Sequence, residues 1–131
     1  MELIGIDYGD KRVGVARASS LARIPEPITI LDNDDNLFSS LQKLVDELMP
    51  VSIIVGVPRN LSGELTPQSH KILNWIEQLK QSLRTDAEYI SWDETLSSVE
   101  ARSRASTASD KHIDDIAACV ILDDYLKGTN V

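Results

Sequence analysis

Cysteine and histidine are almost missing from this 131-residue chain: Cys119 is the only cysteine, and His70 and His112 are the only histidines. An intramolecular disulfide is therefore impossible, a reducing compartment is expected, and the usual ligands of a structural zinc site are lacking. No apolar run approaches the ~20 residues that cross a bilayer, and the first residues do not resemble a signal peptide. Basic residues are scarce as well, 13 Lys and Arg against 21 Asp and Glu, for a formal net charge of −8. That balance argues against coating nucleic acid by bulk electrostatics. It does not exclude a nuclease, because metal ions supply local positive charge within a carboxylate site. What remains is ordinary for a globular protein, 42% apolar and 26% charged. The expectation is one cytoplasmic domain over residues 1–131, long enough to bury a core.

The chain opens "MELIGIDYGDKRVGVA". Leu3 to Asp7 and Arg12 to Ala18 read as strands joined by a short turn containing Gly9. "IPEPITIL" carries two prolines and reads as a third strand, at an edge. Leu37, Leu41, Leu44, Val45 and Leu48 then fall on one face of a helical period. Asp34, Asp35 and Asn36 supply N-cap candidates and Pro50 stops the helix. "VSIIVGVP" is a strand buried on both faces. "RNLSGEL" is a loop. Thr66-Pro67 begins a helix through Ile72, Leu73, Ile76, Leu79 and Leu83. "AEYISW" is a strand running out at Asp93-Glu94, and Ser97 with Glu100 has capping-box spacing for a short helix directly after it. "SRASTASDKH" reads as an exposed loop before a final helix whose broad apolar face is Ile113, Ile116, Ala117, Val120 and Ile121. The order β-β-β-α-β-α-β-α-α predicts an α/β fold, a mixed sheet with helices on both faces.

Three carboxylates fall at element ends: Asp7 closes the first strand, Glu94 the last strand, and Asp114 opens the last helix, with Asp93 and Asp115 as adjacent acidic alternatives. Taken singly, each has a plainer role as a turn, cap or helix-dipole residue. Gathered at one edge of a sheet they repel one another, and a divalent cation relieves the repulsion. Two such ions can activate a water and stabilise the leaving oxygen of a phosphodiester. Lys11 and Arg12 are candidates for phosphate contact, as are Arg102, Arg104 and Lys111 before the last helix; as exposed charges all are otherwise simply solvated. Gly56, Pro58, Asn60 and Gly63 follow a buried strand, where α/β folds place ligand loops, and Asn60 is either a sugar or phosphate contact or a turn residue. Trp75 and Trp92 are core candidates, with base stacking as a second role for Trp92. Cys119 reads as a small core residue.

"GIDYGDKRVGVA", "IIVGVPRNLSG", "WDETLSSVEAR" and "HIDDIAACVILDDYL" occur in this order. Together they resemble the YqgF (RuvX) family, related to RuvC Holliday-junction resolvases, and the resemblance spans essentially the whole chain. It implies an RNase H-like fold and a nuclease using two Mg²⁺ or Mn²⁺ ions. Such a nuclease resolves Holliday junctions or matures the 5′ end of precursor 16S rRNA in ribosome biogenesis. The family's acidic triad falls on Asp7, Glu94 and Asp114, with Asp7 bridging both metals. This chain has Thr95 where the family has Arg, and a shorter stretch before the last helix. The expected partner is nucleic acid, precursor rRNA or branched DNA, with the protein a monomer or weak homodimer. Two readings compete: a non-catalytic partner-binding protein of ribosome assembly, and an ATP phosphate-binding module, since "DYGDKRVGVA" also resembles the phosphate hairpin of actin-like and sugar-kinase-like proteins.

Overall fold

The computed structural model describes residues 1–94 and 113–128, with the backbone alone for 113–115. Five strands form one mixed sheet: β1 (Glu2–Tyr8), β2 (Arg12–Ser19), β3 (Glu26–Asp32), β4 (Ser52–Pro58) and β5 (Glu88–Glu94), in the order β3-β2-β1-β4-β5. β2 is antiparallel to both neighbours, whereas β4 runs parallel to β1 and β5 runs parallel to β4. Three helices accompany it among the described residues: α1 (Leu37–Leu48), α2 (Pro67–Ser82) and α3 (Ile113–Gly128). This is the expected architecture. The expected short helix after Glu94, with Ser97 and Glu100, lies outside the described residues.

The two faces of the sheet differ in bulk. Ile4, Ile6, Val13, Val15, Ile53, Val55 and Val57 point to one side and meet Leu37, Leu41 and Val45 of α1 and Ile72, Trp75, Ile76 and Leu79 of α2. On the other side lie Leu3, Ala16, Ala18 and Ile54, met by Ala118, Ile121, Leu122 and Leu126 of α3. Gly5 shares that second side. A Cβ placed there would come within 2.5 Å of Leu122 Cγ and 3.0 Å of the Ala118 carbonyl. Small residues thus let a single helix lie directly on the strands, while the branched face needs two helices to cover it. Alternation along each strand produces both faces at once.

The buried stripe of α3 runs through Ala117, Ala118, Ile121, Leu122 and Leu126. Ile116 and Val120, expected on the core face, are only half-buried, and they line a cavity of about 290 Å³ with Pro25, Pro27, Cys119 and Asp123. The helix is apolar on more than one side, and the close approach at Gly5 selects the small-residue stripe. Ile113 lies where side chains are outside the described residues.

Caps divide similarly. Thr66 opens α2 as expected: its Oγ1 accepts from Ser69 N at 3.2 Å, and Ser69 Oγ accepts from Thr66 N at 2.9 Å. Ser69 is fully buried and its hydroxyl also donates to the Pro58 carbonyl, tying the start of α2 to the end of β4. Asn36 precedes α1, yet its side chain makes no cap bond; Asp34 Oδ1 instead accepts from Asn36 N at 2.9 Å, a local turn before the helix. Met49 stops α1 in the left-handed region at φ 48°, just before Pro50. β3 is an edge strand, as expected, and its register with β2 shifts at Val15/Ala16: Val15 pairs with Thr29 and Ala16 with Pro27, leaving Ile28 as the extra residue.

Leu79 is wholly buried beneath α2, on the face away from the acidic strand ends. Leu79→Ala is expected to cost about 2–5 kcal/mol of folding free energy. Urea unfolding followed by circular dichroism measures this as a lower midpoint at unchanged slope.

Candidate functional site

β1, β4 and β5 are parallel, so their C-terminal ends share one edge of the sheet. Asp7 is next to last in β1 and pairs with Gly14; it shares the side of Gly5, the side that α3 covers, and is half-buried. Ile6 pairs with Val55, which brings Asp7 level with Gly56 of β4. Glu94 closes β5 opposite Pro58 and is 3% exposed. Its side chain reaches back over Gly56, where an added Cβ would lie 2.8 Å from Glu94 Oε2 and 2.6 Å from Ile121 Cδ1. Asp7 and Glu94 stand on strands two spacings apart, ~10 Å between backbones. Both therefore face the ground above Gly56, bounded by α3.

Asp114 falls in the first turn of α3, the helix on this same face, and its side chain lies outside the described residues. So does that of Asp115. Asp93 points to the opposite side from Glu94 by strand alternation, and its Oδ1 is 2.9 Å from Arg59 Nε. It is thus not an alternative to Glu94 on this face. Among the described residues, which leave out the Asp114 side chain, no group of three His, Cys, Asp or Glu stands close enough to hold a metal ion.

The β1–β2 turn leaves Lys11 and Arg12 exposed beside Asp7. Gly9 is required there, since a Cβ would meet the Arg12 carbonyl at 2.5 Å. Packing of the turn itself thus demands glycine, whatever lies outside it. Asn33 Nδ2 donates to the Gly9 carbonyl at 2.8 Å, and Lys71 of α2 donates to Asp10, so both neighbouring elements hold the turn. That bond and the charge of Asp10 push the Lys71 ammonium above its usual range.

Asn60 acts within its own loop. Its Oδ1 accepts from Ser62 N at 3.1 Å, Ser62 Oγ at 2.8 Å and Glu64 N at 2.8 Å, the turn-stabilising role. Trp92 packs edge-to-face on Tyr125 with centroids 5.3 Å apart, and its ring closes on Gly128, so it belongs to the contact between β5 and α3. Trp75 is buried as expected, against Tyr8 and Phe38. Cys119 is half-buried and packs against the α3 cluster rather than within it. Arg102, Arg104 and Lys111 lie outside the described residues. Two roles escape sequence reasoning: Gly56, expected in the loop stretch after the buried strand, lies within β4 as the floor beneath Glu94, and Arg59 is the partner of Asp93. A glycine at the acidic end of an otherwise branched strand is the one available signal for the first.

The fold is similar to that of solved Holliday junction resolvases. T. thermophilus RuvC in complex with a Holliday junction substrate superposes with a TM-score of 0.64 at 11% identity, covering 98% of this chain and 95% of that one. The fowlpox virus Holliday junction resolvase gives 0.59 at 14% identity, covering 98% and 99%. The class is therefore α/β of RNase H-like, RuvC-like fold.

Sequence relatives narrow this class. The model of the RuvX family, described as Holliday junction resolvase, matches residues 1–128, and the chain belongs to that family. Two curated relatives named "Putative pre-16S rRNA nuclease" are each 35% identical to it. The Thermoanaerobacter pseudethanolicus protein aligns over 96% of both chains, and that of Halothermothrix orenii over 99% of this chain and 97% of its own. The Paraburkholderia phymatum protein of that name is also 35% identical, over 98% of this chain and 87% of its own. The protein is accordingly a nuclease, a hydrolase of phosphodiester bonds. RuvC-like nucleases generally work with divalent metal ions.

The floor at Gly56 is directly testable. Gly56→Ala places a methyl group against both Glu94 and Ile121, and overpacking of this kind typically costs about 1–3 kcal/mol. The expected outcome is a lower thermal midpoint, with nuclease activity falling further than the lost folded fraction explains.

Proposed function

We propose that this chain is a divalent-metal nuclease of structured RNA, with Asp7, Glu94 and Asp114 as the metal-holding and catalytic residues. Precursor 16S rRNA is its substrate and the cytoplasm its setting. The observation that carries the proposal is the Glu94 carboxylate reaching over Gly56 to the level of Asp7 on the face that α3 covers.

The residues fit a hard cation. Carboxylate oxygens are the donors that Mg²⁺ and Mn²⁺ prefer, and glycine leaves room above the strand where a methyl group would intrude. Two bound ions would polarise the phosphodiester and lower the pKa of a water. Asp7, nearest the middle of the sheet edge, would hold them together with Glu94 and Asp114. No side chain need act as a nucleophile. Lys11 and Arg12 at the β1–β2 turn, with Arg102, Arg104 and Lys111 before α3, contact the phosphate backbone. Asn60 holds the loop between β4 and α2 in shape.

An RNA substrate is preferred over a DNA junction because the 35%-identical relatives bear the rRNA nuclease name over nearly their full length. The resolvase structures, at 11–14% identity, speak to the fold alone. The net charge of −8 agrees with a site whose positive charge comes from bound ions.

Cleavage of precursor 16S rRNA and of a four-way DNA junction, with and without Mg²⁺ or Mn²⁺, tests the proposal. Asp7→Asn and Glu94→Gln should each lower the rate by more than the roughly 100-fold that loss of an outer-shell partner costs. Undiminished cleavage by Asp7→Asn overturns the site. Cleavage of the junction alone moves the substrate to DNA.

A further inference from the structure

Arg59 is the first residue beyond β4, and it makes three contacts, two of them to the end of β5. Its backbone N–H donates to the Glu94 carbonyl at 2.8 Å, continuing the ladder past Pro58. Its Nε lies 2.9 Å from Asp93 Oδ1, an ion pair whose angle falls short of a hydrogen bond. Its Nη1 donates to the Gly63 carbonyl at 2.9 Å, across the tight turn that Asn60 organises. Asp93 and Glu94 are consecutive and point to opposite sides of the sheet. The guanidinium therefore grips β5 from the side away from the acids and does not itself share the ground above Gly56.

We propose that Arg59 is a positioning residue: it fixes the terminal peptide of β5, and through it the direction in which the Glu94 side chain leaves the sheet. Among the described residues β5 is an edge strand, paired with β4 alone. Glu94 is the final residue of that strand. The end of a strand at a sheet edge frays more readily than one bonded on both sides, and a carboxylate carried there moves with it. The Arg59 side chain adds a second attachment one residue earlier, and its bond to Gly63 anchors the guanidinium in turn. The pair is substantially exposed, with Asp93 58% accessible, so its attraction adds little to global stability. Its effect is geometric, and small misplacements of a reacting constellation are expensive.

The inference rests on Glu94 being a metal-holding residue, and its test separates the two. Arg59→Met, Arg59→Lys, Asp93→Asn and the double variant Arg59→Met/Asp93→Asn are compared by cleavage kinetics, by calorimetry with Mn²⁺ alone, and by thermal melting. Arg17→Met, which removes the 3.0 Å pair with Glu26 between β2 and β3, serves as control for loss of a surface pair. Arg59→Met and Asp93→Asn should each lower kcat about 10-fold with KM within about twofold of wild type. Mn²⁺ affinity should fall in step, and melting should shift no more than in the control. The double variant should be no worse than the weaker single variant, because the Arg59–Asp93 pair is lost in all three. Arg59→Lys should recover part of the rate. Wild-type kcat and Mn²⁺ affinity in Arg59→Met would overturn the proposal. A rise in KM alone would overturn it too, since Arg59 would then be a direct phosphate contact. A wild-type chain that binds Mn²⁺ without cleaving defeats the nuclease reading, and the Mn²⁺ affinities of the variants still decide the role of Arg59. A chain that neither binds Mn²⁺ nor cleaves overturns both.

Discussion

The contact between Gly5 and Leu122 sets the arrangement of everything around the site. A helix normally stands off a sheet by the thickness of two layers of side chains. Here Gly5, Ala16 and Ala18 remove one layer, and α3 rests almost on the backbone. The opposite face carries isoleucine and valine and holds two helices at full distance. Because side chains alternate, this division is written into β1 and β2 residue by residue. The low shelf that results on the α3 side is where Asp7 and Glu94 emerge. An ordinary branched residue at Gly56 would fill that shelf with hydrocarbon.

Such an arrangement asks for rigidity at the strand ends rather than for many functional groups. Asp7 sits on β1, in the middle of the sheet and bonded on both sides, and its turn is held by Asn33 and by the Lys71–Asp10 pair. Glu94 stands on β5, the outermost strand on its side among the described residues. The bracing from Arg59, Ser69 and the Asn60 turn is concentrated around that weaker member. A chain with an excess of acids can tolerate this placement because the bracing groups are mostly neutral backbone amides and hydroxyls. The one guanidinium involved already has its carboxylate on the far side.

Strand alternation, the α1 period and the Thr66 cap were legible in the sequence because each depends on neighbours within a few residues. The acidic element ends were legible for the same reason, and the four motifs in order carried the family. Less legible was anything decided across the fold. Residues 113–122 are apolar on several sides, so periodicity alone favoured Ile116 and Val120, whereas the fit against Gly5 and Gly56 selects Ala118 and Leu122. Asp93 and Glu94 are equivalent as letters; only the strand's phase against β4 separates the ion-paired acid from the one over the shelf. Arg59 looked like a loop residue because its partner lies 34 positions away in the chain. Asn36 stood at the right place for a cap, but Asp34 took the bond through a turn that competes with capping.

The extra residue in β3 has a bearing on how this molecule behaves among its own copies. β3 is an open sheet edge, the kind of surface that recruits a foreign strand. Ile28 breaks its phase midway, and Pro27 beside it has no amide hydrogen to offer. A straight strand approaching from solvent could match one half of β3 or the other, never both. The bulge therefore makes β3 a poor template for intermolecular β-pairing, and contact between copies at that edge would have to run through side chains.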